Sequence, residues 1–105
     1  MRNDQETSSV LNLVKSFVER ERQRYTIKAA YLFGSWAYGT PNADSDIDIG
    51  LILERALSIE EEASIFSDAQ EMHYRLEPHV YTQKQFDIGK RAIIEDIKEH
   101  GIKIA

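Results

Sequence analysis

Residues 32–53 read LFGSWAYGTPNADSDIDIGLIL, and the fold turns on how this stretch is read. The apolar run Ala29–Phe33 that leads into it has the make-up of a buried strand. Gly34-Ser35 breaks the run, and a short loop punctuated by Gly39, Thr40, Pro41 and Asn42 follows. Asp46-Ile47-Asp48-Ile49 then alternates acid with aliphatic. That period of two belongs to a strand, with Asp46 and Asp48 on one face and Ile47 and Ile49 on the other. Two like charges held side by side repel, so folding alone gives little reason to choose them. A divalent cation between them removes the objection. The Gly-Ser turn supplies what such an ion needs as company. Glycine lets backbone approach a ligand closely, and a helix start just beyond it offers free N–H groups to phosphate.

Outward from this stretch the pattern predicts further elements. Val10, Leu13, Val14, Phe17 and Val18 form one stripe of a helix over Val10 to Arg24, with Thr7, Ser8 and Ser9 all possible caps. Glu19-Arg20-Glu21-Arg22 within it reads as a solvated face. Strand one runs from about Ile27 to Phe33, with one helical turn at Trp36 to Tyr38 in the loop, and strand two from about Asp46 to Leu53. Ser58-x-x-Glu61 is a capping box for a second helix ending near Tyr74, with Ile59, Ala63, Phe66 and Ala69 as its inner stripe. Strand three follows over Leu76 to Tyr81. Thr82-x-x-Gln85 is another capping box, opening a helical pattern to His100 that Gly89 interrupts. Ile93, Ile94 and Ile97 face inward there, Gly101 suits the C-terminal cap, and Ile102 and Ile104 form a short extended tail.

The directions of these strands gather a site. A short connection makes strands one and two antiparallel, and a helical crossover makes strands two and three parallel. The end of strand one then lies beside the starts of strands two and three. Gly34 and Ser35, Asp46 and Asp48, and Glu77 meet at one end of the sheet. Parity puts Leu76, Pro78 and Val80 on the helix-covered face with Ile47, Ile49 and Leu51. Glu77, His79 and Tyr81 share the other face with the aspartates. An uncovered face bearing a histidine and a tyrosine is expected to dock a partner or acceptor, unless the last helix or the tail folds over it. His79 itself reads as a wall or interface residue, and Trp36 as packing.

Composition sets the class. The 105 residues allow one compact domain, 1–105, with a modest core. Hydrophobic residues at 42% and charged residues at 30% fit a globular chain rather than a disordered one. The net charge of -5 and the lack of a basic stripe argue against a long nucleic-acid track. The absence of cysteine removes disulfides, thiolate metal sites and cysteine nucleophiles. No apolar run follows the polar start, so neither a signal peptide nor a membrane span is expected, and a cytoplasmic location is the default.

Gly34-Ser35, ten residues, then Asp46-x-Asp48 resembles the signature of the DNA polymerase β-type nucleotidyltransferases. GSWAYGTPNADSDIDIGLIL is similar to the minimal nucleotidyltransferases, small members often encoded beside a HEPN-domain protein. The resemblance implies an α/β fold, a small mixed sheet backed by helices. It implies transfer of a nucleoside monophosphate, AMP above all, from Mg-NTP to a hydroxyl acceptor with release of pyrophosphate. Two Mg²⁺ ions roughly 4 Å apart would serve that displacement. Asp46 and Asp48 would bridge them, Glu77 would hold the one nearer the acceptor, and Gly34 and Ser35 would bind ATP or another NTP through its phosphates. The acceptor it suggests is a tyrosine of a HEPN-type toxin, which makes the chain an antitoxin. The alternatives are a binding module that neutralises a partner sterically, and a transferase for a small hydroxylated molecule whose pocket a homo-oligomer completes. Two departures are visible: Tyr38 stands where many members have arginine, and Glu77 where aspartate is usual.

Overall fold

A computed structural model describes residues 4–39 and 45–105, apart from the side chains of Asp4, Gln5 and Tyr38. The loop punctuation at Thr40, Pro41 and Asn42 and the side chain of Tyr38 therefore lie outside the described residues. The chain runs α1 (Asp4–Arg22), β1 (Ile27–Phe33), α2 (Ser35–Tyr38), β2 (Ile47–Leu53), α3 (Ile59–Met72), β3 (Leu76–Thr82), α4 (Gln83–Ile88), α5 (Ala92–His100) and β4 (Ile102–Lys103). The four strands form one mixed sheet in the order β3-β2-β1-β4. β1 is antiparallel to β2 and to β4, and β3 is parallel to β2, as the connections require.

Local sequence accounts for most boundaries. Both capping boxes close as expected. The Ser58 hydroxyl accepts from Glu61 N at 3.1 Å while Glu61 Oε1 accepts from Ser58 N at 3.0 Å, and Thr82 and Gln85 repeat the pattern. Gly89 ends α4, and the Gly101 N–H caps α5 on the Ile97 carbonyl at 2.8 Å. The expected caps Thr7, Ser8 and Ser9 are instead inside α1, which starts at Asp4. Asp46 stands one residue ahead of β2 rather than within it.

Each face of the sheet carries its own core. On one face Ile47, Ile49, Leu51 and Leu76 pack with Leu32, Trp36 and the α1 stripe Val10, Val14, Phe17 and Val18. On the other, Ala29, Phe33, Ile52 and Tyr81 pack with Phe86, Ile94 and Ile97. Strand parity is therefore as the sequence implies, and a register shift between Ile27 and Ala29 moves Ala29 onto the second face. The expectation of an uncovered second face is corrected. α4 and α5 cross to it, Tyr81 is buried beneath them, and no docking surface is left at Tyr81. Gly50 makes room for this cover, since a Cβ there would stand 3.2 Å from Ile97 Cδ1.

α3 is rotated relative to its expected stripe. Ile59 and Phe66 are 81% and 50% exposed and Ala63 is exposed too, while Ile65 and Ala69 are buried. Two apolar stripes share this helix, Ile59–Ala63–Phe66 and Ile65–Ala69–Met72, and helical period alone does not rank them. Polar contacts with α1 accompany the second. Asp68 accepts from Arg20 at 3.1 Å and from Arg24 at 2.8 Å. Glu21, read as part of a solvated face, is fully buried at this contact. Among the described residues neither of its carboxylate oxygens meets a donor. Its neighbour is another acid, Asp68, with which it bonds only through a shared proton. Burial first, then the Asp68 hydrogen bond and charge, push Glu21 up to about 7, against the pull of Arg24 and Arg20.

Candidate active site

The sheet register assembles the site at the end where β1 stops and β2 and β3 begin. Phe33 pairs with Asp48 across the antiparallel ladder, and Asp48 pairs with Glu77 across the parallel one. The turn after Phe33 therefore falls beside Asp48. Gly34 adopts φ 74°, and a Cβ there would run into the Asp48 carboxylate. Only glycine satisfies both constraints. Ser35 opens the single turn of α2, half-buried next to that glycine, with Trp36 buried behind it. The structure thus brings together Gly34, Ser35, Asp48 and Glu77, as strand directions predict.

Asp46 and His79 lie beside these residues. Asp46 is exposed just before β2 and lies against Glu77, with which it hydrogen-bonds when one carboxyl is protonated. His79, two residues along β3 from Glu77, turns its Nε2 to Asp48 Oδ1 at 3.2 Å and to Glu77 Oε1 at 3.9 Å. One ligand atom from each of Asp48, Glu77 and His79 lies within 4.8 Å of the others, a group that Asp46 does not join. Burial first, then the charge of Asp48, hold the Glu77 carboxyl above its ordinary range. His79 acts the other way, and the hydrogen bond and charge of Asp46 add to the rise. The donor set of carboxylates and an imidazole, converging without a lysine or arginine salt bridge among the described residues, fits a divalent cation.

Beside the carboxylates runs a shallow hollow. Asp46 and Glu77 line it together with Arg75, Phe66 and Tyr74. The last two belong to the exposed apolar residues of the protein. Among the other hollows, two of the larger lie apart from this site. One is at the opposite end of the sheet, where Arg24 and Arg55 are already bound to Asp68 and Glu61. The other, by Tyr81, Ile88 and Ile94, lies between β3, α4 and α5.

The model of the nucleotidyltransferase domain matches residues 12–104. The chain belongs to that family. A search of curated proteins gives no significant match. Among solved structures, this nucleotidyltransferase domain is similar to a candidate nucleotidyltransferase from Sulfolobus solfataricus at 20% identity, over 94% of this chain and 82% of that one, with a TM-score of 0.60. It is similar to a chain of the toxin–antitoxin MntA–HpeT, in a form with two aspartates replaced by glutamate, at 15% identity over 90% and 72% of the two chains, TM-score 0.60. A chain of a toxin–antitoxin structure with AMP-PNP matches at 18% identity over 87% and 72%, TM-score 0.63. The fold is that of these nucleotidyltransferase-type chains.

Sequence reasoning named Gly34, Ser35, Asp46, Asp48 and Glu77 as candidates and did not anticipate the contact of His79 with Asp48. Parity alone puts His79 on the acidic face. The missing step was length: an imidazole two residues farther into the sheet reaches back to the carboxylates.

Proposed function

We propose that the protein transfers AMP from Mg-ATP to a hydroxyl group, with a tyrosine of a HEPN-type partner protein as acceptor, and so acts as an antitoxin. The observation that carries this reading is the convergence of the Gly34-Ser35 turn with Asp48 and Glu77 at one sheet end. Asp46, Asp48 and Glu77 would hold Mg²⁺, with two ions as the expected number. Bound there, Mg²⁺ supplies charge stabilisation to the transferring phosphoryl oxygens. Ser35 donates its hydroxyl hydrogen bond to the β,γ-phosphates, and Gly34 lets the backbone come close to them. Glu77, with its raised pKa, is suited to accept the acceptor's proton, directly or through water.

Support for a protein acceptor comes from the hollow beside the carboxylates. Phe66 and Tyr74 present apolar surface to solvent within the same depression as Asp46 and Glu77. Aromatic surface of that kind is favoured where a partner excludes water. The similar toxin–antitoxin chains agree with this choice, as do ATP-like AMP-PNP in one of them and a mutated aspartate pair two positions apart in the other. The same apolar surface favours a second reading, in which the chain neutralises its partner by binding alone.

The test incubates the protein with γ- or α-labelled ATP, Mg²⁺ and a HEPN-domain protein encoded beside it. Label from the α-phosphate on a partner tyrosine, with none from the γ-phosphate, is the expected result. Neutralisation of the partner without any label would establish the binding module instead.

A further inference from the structure

The register of β2 and β3 does more than place carboxylates together. Glu77 and His79 are i and i+2 on β3, so they share a face, and Asp48 lies opposite Glu77 on β2. The residue opposite His79 is Gly50, which has no side chain to compete for that space. The imidazole is held on its other side by Phe33, edge to face at 5.2 Å and 62°. Its Nε2 is thereby aimed into the acidic group, 3.2 Å from Asp48 Oδ1 and 3.9 Å from Glu77 Oε1. That aim makes a hydrogen bond to Asp48 and leaves His79 two roles, ligand or positioning residue.

We infer that His79 is a nitrogen ligand of this cation site, completing a set with Asp48 and Glu77 that takes first-row transition divalent ions, Mn²⁺ to Zn²⁺, in preference to Mg²⁺. The inference rests on the metal-binding role proposed for Asp48 and Glu77, and it concerns only the one of the two expected ions that His79 reaches, where a transition ion replaces Mg²⁺. Mg²⁺ is a hard ion that accepts oxygen ligands and keeps its water, whereas an imidazole nitrogen suits the softer transition ions. An all-carboxylate site discriminates weakly between the two classes. Exchange of one oxygen donor for a nitrogen changes the class of ion selected without changing the charge that the carboxylates supply. His79 is therefore a specificity-determining residue for the ion, separate from the aspartates that bind either class.

The experiment measures binding of Co²⁺ and Mg²⁺ to the full chain without nucleotide, by calorimetry and by the visible absorption of Co²⁺, which reports nitrogen ligation. H79F keeps an aromatic ring against Phe33, and H79Q keeps a hydrogen-bond donor towards Asp48. Thermal melting of each variant verifies the fold. The wild type is expected to bind Co²⁺ at least about tenfold more tightly than Mg²⁺. Both variants are expected to lose about tenfold in Co²⁺ affinity, with Mg²⁺ affinity changed less than about twofold and the cobalt spectrum shifted. If H79Q restores both affinities and H79F loses both in parallel, His79 only orients Asp48 and the inference is overturned. Variants that leave both ions unaffected overturn it too, while the metal-binding role of Asp48 and Glu77 stands. A wild type that binds neither ion overturns both.

Discussion

Two clusters of acids in this protein are built on opposite plans. Between α1 and α3, Glu21 and Asp68 face each other with Arg20 and Arg24 alongside, and both arginines bind Asp68. At the sheet end, Asp48, Glu77 and Asp46 gather with one histidine and without a lysine or arginine salt bridge among the described residues. The first cluster is neutralised from within, by guanidinium groups and a shared proton, and it sits where two helices pack. The second has no guanidinium partner among the described residues and lies at an accessible end, where burial first and then the charge of Asp48 raise the Glu77 carboxyl. A cluster that balances its own charge serves the fold. A cluster that does not is waiting for charge from outside.

The strongest way to break that contrast is Asp48→Asn. If the open cluster waits for a cation, this substitution removes a ligand and leaves the scaffold alone. Transfer activity should fall by more than the roughly 100-fold typical of losing a ligand's outer-shell support, while the melting temperature holds or rises because repulsion with Glu77 is relieved. An active variant would remove Asp48 from the metal site. A collapsed one would place it with the structural acids.

Asp68→Ala is the mirror experiment. It removes the shared partner of Arg20 and Arg24, whose side chains are 38% and 45% exposed, and among the described residues leaves them only Glu71 and Ser64 on α3. Breaking a fully buried pair costs about 3–5 kcal/mol. With water reaching both arginines, a loss of about 2 kcal/mol in urea unfolding is expected, with divalent-ion binding unchanged. Loss of ion binding in a folded Asp68→Ala protein would join the two clusters into one.

The contrast also sorts what was legible in the sequence. Much of what local rules govern was readable: both capping boxes, the β1 boundaries, the breaks at Gly89 and Gly101, and strand parity, though not the start of α1 or of β2. The gathering of Gly34, Ser35, Asp48 and Glu77 at one sheet end followed from strand parity and from strand direction, without any side-chain contact. What escaped depended on how helices rotate and cross. α3 holds two apolar stripes, and its rotation goes with Asp68 meeting arginines about 45 residues away in sequence. The burial of Glu21 goes with that rotation and is invisible in Glu19-Arg20-Glu21-Arg22 by itself. The cover over Tyr81 needed α5 to cross the sheet. Gly50 was the available signal, because a glycine inside a strand marks close approach.

Ser35→Ala sharpens the description of the open cluster. The hydroxyl contributes one hydrogen bond to a charged phosphate, so ATP affinity should weaken by about 1.5–3 kcal/mol while affinity for the free divalent ion is unchanged. Equal losses for ATP and ion would shift Ser35 from the phosphates to the cation.

The last test is a tilt rather than a loss, and it concerns the closed cluster. Glu21 titrates near 4.5 when unfolded and at about 7 when folded, held up by burial and by Asp68 and pulled down by Arg24 and Arg20. A raised folded value means that the folded state binds the proton more tightly. Its stabilising contribution is complete below the unfolded value and disappears as pH climbs through the folded one. Wild-type stability should therefore decline from this source between 4.5 and about 7, then level off. Glu21→Gln keeps the shape, stays neutral, and supplies its own N–H to Asp68. Its stability in urea should match the wild type near about pH 5 and exceed it near about pH 8, so that the two curves diverge upward through the window. Parallel curves would show that Glu21 holds no proton at its α3 contact. The closed cluster would then carry unbalanced charge like the open one.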